Sequence, residues 1–190
     1  LRDDEIFIDV GAYDGDSIRA FINRKESEFR QLIALEPDPQ SYIKLKNYLA
    51  NISPDILAKI TTYNLAVGEV RQWNKFMSTG AVTSDINDAG LVEVECIPLD
   101  EILNGVTPTY IKMDIEGAEL SALAGARQII RKASAIWSIC LYHKQEHVWK
   151  VPLFMASVSD SYKYFLRRYA EDCWESVCYA VPKNRIAGGI

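Results

Sequence analysis

The sequence predicts an α/β fold built on a mostly parallel β-sheet, with an antiparallel pair of strands at one edge. Short, β-rich apolar runs alternate along the chain with segments of helical periodicity, as in parallel strands that are joined by helices. The first run, residues 6–10, is apolar apart from one acid, which is typical of a strand buried on both faces. The last two predicted strands, 162–169 and 177–181, have a short connection, so we expect them to run antiparallel.

The elements between these ends follow from local patterns. A strand is predicted where a short apolar run stops at a Gly, a Pro or a charged residue, and a helix where capping residues precede apolar residues at helical spacing. Further parallel strands are predicted at 31–35, 59–67, 110–113 and 136–142. Helices are predicted from 16 onward and at 39–51, 99–103, 117–126 and 146–158, the last with a kink or late start at Pro152.

Residues 69–97 interrupt this alternation. Two short strands, at 73–77 and 91–97, flank a polar stretch of small residues at 78–90. A long polar insertion in a compact domain is usually functional or mobile. We therefore expect either a lid over a ligand site or a surface hairpin here, within a single domain that spans residues 1–190.

Composition limits the class of protein. The 190 residues are 48% hydrophobic and 25% charged, which predicts one globular domain with a sizeable core. The net charge of -5 argues against nucleic acid as the main partner. The longest apolar stretch, 133–142, is too short for a membrane span. Scattered cysteines without a C-x-x-C motif indicate reduced thiols and a cytoplasmic location, and no pattern predicts the oligomeric state.

A glycine-containing turn follows the first strand and leads into a helix. Glycine lets ligand atoms approach the backbone because it has no Cβ. A dinucleotide site needs G-x-G-x-x-G, whereas this chain has the wider G-x-x-x-G. The turn therefore favours a ligand whose charged end is an amino acid, such as S-adenosylmethionine, although an ordinary strand-to-helix turn remains the alternative. The cofactor-binding residues predicted here are Asp9, Gly11, Ala12, Tyr13, Gly15 and Ser17.

The next two strand ends carry further candidates for cofactor binding. Glu36, followed by Pro37, ends the second strand, where an acid can accept the two hydroxyl hydrogens of an adenosine ribose. A strand-end acid that faces solvent is the alternative. Ala66 lies at the end of the third predicted strand, where adenine would lie between apolar side chains, or where these side chains simply form core.

Acidic residues and a histidine follow the fourth and fifth predicted strands. Asp114 and Glu116 should share the crevice with the glycine turn, because parallel strands end at the same edge of a sheet. Asp114 is expected to face the ammonium group of the cofactor and Glu116 the acceptor. His143 can accept a proton near neutral pH, although a structural histidine is the alternative. We expect Asp114, Glu116 and His143 to be catalytic, with His143 ranked first as base, and Glu119 to complement a helix dipole.

The chain resembles S-adenosylmethionine-dependent methyltransferases of the FkbM type from residue 5 to about residue 181. The most specific block is I-K-M-D-I-E-G-A-E at 111–119, supported by F-I-D-V-G-A at 7–12, L-E-P at 35–37 and L-D at 99–100. This resemblance implies a three-layer, Rossmann-like class I methyltransferase sandwich with a seven-stranded sheet whose last strand is antiparallel. It also implies methyl transfer, usually to a hydroxyl oxygen of a sugar or secondary metabolite.

Other functions remain open at this point. A nicotinamide-dependent oxidoreductase would need the close second glycine that is missing here, while a cofactor-binding module without catalysis would keep the same motifs. A protein substrate is open as well, whereas a nucleic acid is disfavoured by the charge. Some related enzymes hold a divalent cation at this strand exit, but Asp114 with Asp85 or Glu116 is too loosely spaced to predict a metal site.

Overall fold

The computed structural model describes residues 1–25, 28–77, 85–86, 92–169 and 175–186. The polar centre of the predicted lid lies almost wholly outside the described residues, and so do Cys173 and the side chain of Asp85. Among the described residues, no helix is long and apolar enough to cross a membrane.

The described chain alternates strands and helices along most of its length. The strands are β1 (Ile6–Val10), β2 (Gln31–Leu35), β3 (Ile60–Tyr63), β4 (Ala66–Val67), β5 (Gln72–Met77), β6 (Asp85–Ile86), β7 (Val92–Ile97), β8 (Tyr110–Met113), β9 (Ile136–Cys140), β10 (Tyr162–Arg168) and β11 (Ser176–Pro182). The helices are α1 (Asp16–Lys25), α2 (Pro39–Leu49), α3 (Pro54–Leu57), α4 (Leu99–Ile102), α5 (Glu119–Ala124), α6 (Arg127–Lys132) and α7 (His147–Val158), and a 3₁₀ turn covers Lys183–Arg185.

The main sheet has seven strands in the order β10-β11-β9-β8-β1-β2-β3. The central strand β1 is parallel to both neighbours, with Val10 opposite Leu35 on one side and Met113 on the other. The last strand, β11, is antiparallel to β9 and to the edge strand β10. The predicted fold class is therefore confirmed, and the reversed strand lies one position in from the edge because a short connection returns the chain along β10.

Two apolar clusters cover the two faces of this sheet, so the domain has three layers. Ile6, Ile8 and Val10 of β1 pack into a large cluster with residues of α5, α6 and α7. Phe7 of β1 packs on the opposite face with Ala12 and residues of α1 and α2. Because alternate residues of β1 enter different clusters, the whole strand is buried, as its apolar sequence predicts.

The predicted strand 59–67 is divided between two sheets. Only β3 joins the main sheet, whereas β4 belongs to a second sheet in the order β4-β7-β5-β6. The break falls at Asn64, whose side-chain amide donates to the carbonyl oxygens of Glu36 and Pro37 at 2.8 and 3.0 Å. β5 and β7 pair antiparallel, with Trp73 opposite Glu95. The described part of 69–97 thus includes a strand pair, and its role as a lid stays a prediction.

The predicted helix 117–126 is also shorter than expected. It begins at Glu119 and is interrupted at Gly125, after which α6 follows. A Cβ on Gly125 would lie 2.0 Å from the carbonyl oxygen of Gly68, so glycine is required for this close contact between the second sheet and the helical layer. The short helix α3 was not predicted.

Candidate active site

A cavity of about 430 Å³ lies at the carboxyl ends of β1, β2 and β8, where open α/β sheets bind ligands. Most of the residues that the sequence singles out reach it. Seven predicted site residues line this cavity: Gly11, Tyr13, Glu36, Pro37, Ala66, Asp114 and Glu116.

The other predicted site residues lie outside the cavity lining. Asp9 is completely buried beneath it, and Ala12 packs into the core under α1 and α2. A Cβ on Gly15 would lie 2.9 Å from the ring of Tyr48, so this glycine permits helix packing. Ser17 is half-buried in α1. His143 does not line the cavity, and its Nε2 lies 3.4 Å from Oδ1 of Asp114, which does.

The glycine turn is fixed to the end of β2. The backbone N–H groups of Gly11 and Ala12 both donate to the carbonyl oxygen of Leu35, at 2.9 and 3.1 Å. The N–H of Tyr13 donates to Oε2 of Glu36 at 2.7 Å. Gly11 has a φ of +84°, and a Cβ there would lie 1.9 Å from the carbonyl oxygen of Asp114. Only glycine therefore allows the turn to approach the loop after β8.

Glu36 combines burial with access to the cavity. Its side chain accepts hydrogen bonds from the backbone N–H of Tyr13 and, at 2.8 Å, from that of Asp38. The residue is 6% exposed, and burial raises the pKa of its carboxyl group to about 7. Each carboxylate oxygen can accept a second hydrogen bond, so the group retains capacity for ligand hydroxyls.

An apolar wall closes the same end of the cavity. It consists of Leu65, Ala66 and Val67 after β3, together with Phe76 of β5. Phe76 is 2% exposed and packs in the small core of the second sheet. The sequence analysis placed Phe76 in a strand but not in the site, because nothing in the local pattern indicates that the second sheet contributes a wall.

Lys112 forms part of the cavity floor and was also missed. Its ammonium group donates to the carbonyl oxygen of Gly11 at 3.1 Å and lies 3.3 Å from Oδ1 of Asp9 and 3.8 Å from Oδ2 of Asp114. Burial acts to lower the pKa of Lys112, but these two carboxylates outweigh it and raise the pKa. Burial raises the pKa of Asp9 to about 6 despite the opposing charge of Lys112. A lysine inside an otherwise apolar strand was the signal that could have identified this pair.

The acidic residues after β8 surround one imidazole. Nε2 of His143 lies 3.4 Å from Oδ1 of Asp114 and 3.5 Å from Oε1 of Glu116. Its Nδ1 lies 2.9 Å from Oε1 of Glu119. The hydroxyl of Tyr142 donates to Oδ1 of Asp114 at 3.0 Å. Asp114, Glu116 and His143 are therefore brought together as the sequence predicts.

Glu119 does more than complement a helix dipole. It is completely buried and accepts hydrogen bonds from the backbone N–H groups of Ile115 and Gly117 at 3.2 and 3.3 Å. Its second oxygen lies 3.0 Å from Nδ1 of His147. Because Glu116 has a φ of +54°, the loop has a strained conformation that these contacts help to hold.

The carboxylates decide the protonation state of His143. Burial acts to lower its pKa, but interactions with Glu116 and Glu119 outweigh this effect and raise the pKa to about 9. The imidazole is then a cation at neutral pH, and it has no free nitrogen lone pair with which to accept a proton. This state differs from the neutral histidine that the ranking of His143 as base requires.

Carboxylates such as those of this cluster can also bind metal ions. Within the part of the chain that the structure describes, no group of three or more His, Cys, Asp or Glu side chains is arranged to hold a metal ion. In this cluster the carboxylates of Glu116 and Glu119 face the imidazole of His143, and that of Asp114 faces both this imidazole and the ammonium group of Lys112.

Comparison with known protein families identifies the family of this chain. A family model described as the methyltransferase FkbM domain matches residues 9–171. The chain belongs to the FkbM methyltransferase family. A crystal structure of methyltransferase FkbM from Methylobacillus flagellatus KT is 28% identical, with a TM-score of 0.82. The match covers 95% of this FkbM chain and 44% of that protein, so the chain spans less than half the length of this relative.

More distant structures share the fold of this FkbM domain. A precorrin-6y C5,15-methyltransferase from Geobacter metallireducens GS-15 is 12% identical, with a TM-score of 0.57, and the match covers 95% of this chain and 80% of that one. A Streptococcus mutans methyltransferase solved in complex with SAH is also 12% identical, with a TM-score of 0.56 and coverage of 95% and 90%. No curated protein matches the chain.

The stability of this FkbM domain should depend on the charge of His143. The folded-state pKa of about 9 exceeds the ordinary value of 6.5, so the stabilisation is complete below pH 6.5 and is lost as the pH rises through 9. Urea unfolding of the wild type and of His143→Gln, measured from pH 6.5 to 9.5, should therefore converge as the pH rises.

His147→Gln is the matched control for this measurement. Burial lowers the pKa of His147, so its removal should not change the slope of stability between pH 7 and 9. Parallel curves for the wild type and His143→Gln across this range would contradict the assignment of a cation to His143.

Proposed function

We propose that this FkbM domain transfers the methyl group of S-adenosylmethionine to a hydroxyl oxygen of a small molecule such as a sugar or secondary metabolite. The observation that carries the proposal is the layout of the cavity, with Glu36 and an apolar wall at one end and Asp114 and Glu116 at the other. Along the cavity, the apolar wall, Glu36 and the acidic residues follow one another in the same order as adenine, ribose and an amino acid in the ligand.

The cofactor half of the site accounts for the first part of this proposal. Adenine would lie against Ala66 and Phe76, and Glu36 would accept the ribose hydroxyls. Asp114 would bind the ammonium group of the methionine moiety. The Streptococcus mutans methyltransferase, whose structure contains SAH, has the same fold and supports this choice of cofactor.

In the part of the site where the acceptor would bind, Glu116 would act as the base. Its side chain is 27% exposed at the cavity, whereas the imidazole of His143 is a buried cation behind it. The acceptor hydroxyl would lose its proton to the Glu116 carboxylate while its oxygen attacks the methyl carbon. The carbon–sulfur bond breaks, its electron pair returns to sulfur, and the products are an ether and S-adenosylhomocysteine. His143 would then stabilise the negative charge of the acidic residues, and Asp114 would orient the cofactor. Glu116 replaces His143 as the preferred base.

The turn amides weigh against a nicotinamide-dependent oxidoreductase. A pyrophosphate is usually bound by free backbone N–H groups at such a turn. Here the N–H groups of Gly11, Ala12 and Tyr13 already donate to Leu35 and Glu36. A cofactor-binding module without catalysis would share the cofactor half but would not consume an acceptor.

The state of the cysteine thiols indicates the kind of cellular compartment in which the protein works. Cys96, Cys140 and Cys178 are free and buried. Cys96 and Cys178 pack within apolar clusters, and buried reduced thiols are consistent with the prediction of a reducing, cytoplasmic environment.

Cofactor binding should depend on the ionisation of Glu36. An ionised carboxylate can accept both ribose hydroxyls, and the pKa of Glu36 in the free protein is about 7. Calorimetric affinity for S-adenosylhomocysteine should therefore rise by about tenfold between pH 6 and pH 8. Glu36→Gln should bind more weakly and lose this pH dependence. Tighter binding of NADH than of S-adenosylhomocysteine would contradict the proposed cofactor.

Methyl transfer should depend on Glu116. With labelled S-adenosylmethionine and a panel of sugars and hydroxylated metabolites, mass spectrometry should detect a methylated product. Glu116→Gln should lower kcat by about 10²- to 10⁴-fold with little change in cofactor affinity, because it removes the proton acceptor.

Glu28→Gln is the control for this measurement, since it makes the same chemical change at an exposed position before β2, at the opposite end of the sheet from the cavity. Unchanged turnover in Glu116→Gln would remove Glu116 as the base. A loss of the same size in His143→Gln with full activity in Glu116→Gln would return the base to the histidine.

A further inference from the structure

The proposed function does not yet assign a partner to the anionic group of the cofactor. The methionine moiety of S-adenosylmethionine carries a carboxylate as well as an ammonium group. Backbone N–H groups at the glycine turn are the usual donors to an anion at this place in the fold. The amides of Gly11, Ala12 and Tyr13 are already used within the protein. These three amides are therefore not free to bind the carboxylate.

Two cations line the cavity within the described part of the chain, Lys112 and Lys144. Lys144 is exposed at the rim, and its side chain lies against Gly117, since a Cβ on that glycine would be 2.8 Å from Cε of Lys144. It thus lies on the acceptor side, next to Glu116. Lys112 lies on the floor between the glycine turn and Asp114.

The position of Lys112 fits the geometry of an amino acid. The ammonium and carboxylate groups of an α-amino acid are attached to one carbon, so their binding partners must be neighbours of opposite charge. Nζ of Lys112 lies 3.8 Å from Oδ2 of Asp114. These two groups therefore form an adjacent cation and anion at the end of the cavity where the amino acid is expected.

Lys112 also has a donor available for a ligand. An ammonium group has three N–H donors. In this structure one donates to the carbonyl oxygen of Gly11, and the carboxylate of Asp9 lies 3.3 Å from Nζ. The side chain is 19% exposed, in the direction of the cavity that it lines. Asp9, which is completely buried, holds the ammonium in place without reaching the ligand itself.

We propose that Lys112 binds the carboxylate of the cofactor's methionine moiety while Asp114 binds its ammonium group. This assignment rests on the proposed cofactor and goes beyond it by naming the residue that recognises the amino acid end.

Decarboxylated S-adenosylmethionine tests this assignment, because it lacks the carboxylate and keeps the adenosine, the sulfonium and the amine. By calorimetry, the wild type should bind S-adenosylmethionine about tenfold or more tightly than the decarboxylated form. Lys112→Met and Lys112→Gln should bind the two compounds with similar affinity. Their affinity for the decarboxylated form should be unchanged or higher, since a positive charge has been removed, and this also shows that the variants are folded.

Lys144→Met is the matched control, because it removes the other cation of the cavity and should keep the preference for S-adenosylmethionine. Equal binding of the two compounds by the wild type would overturn the assignment, even if the Lys112 variants failed to fold. A preference that persists in both Lys112 variants, or that disappears in Lys144→Met, would overturn it as well. Failure of the wild type to bind either compound would instead contradict the proposed function.

Discussion

The site depends on the close approach of the loops that follow β1 and β8. The N–H of Asp114 donates to the carbonyl oxygen of Val10 at 3.0 Å, and no side chain fits between Gly11 and the carbonyl oxygen of Asp114. The loop that carries the acidic residues is thereby held against the turn that would cradle the cofactor. One glycine thus sets the distance between the turn after β1 and the loop that carries Asp114 and Glu116.

Ion pairs help to fix the loops that follow β1 and β8 relative to one another. A buried charge is costly unless an opposite charge accompanies it, and here Lys112 lies beside Asp9 while His143 lies beside Glu119. In the proposed reaction, these pairs would hold the loop of Asp114 and Glu116 in position, which lowers the cost of reorganisation.

Local sequence patterns predict the strands of this protein better than they predict contacts between residues that are distant in sequence. β2 and β8 were predicted at their observed bounds, because short apolar runs with clear ends specify buried strands. The division of 59–67 was missed because it depends on the contact of Asn64 with Glu36 and Pro37, which are distant in sequence. The pKa of His143 was missed for the same reason, since its value is set by acids on other segments. Patterns therefore identify which residues reach the site, while their ionisation follows from tertiary packing.

A crystal structure of this domain with S-adenosylhomocysteine would show whether the cavity is the cofactor site. We expect the ribose hydroxyls to lie within hydrogen-bond distance of Glu36, adenine to contact Ala66 and Phe76, and the amino acid end to lie beside Asp114. A ligand bound outside this cavity, or a ribose that does not contact Glu36, would show that this cavity is not the cofactor site.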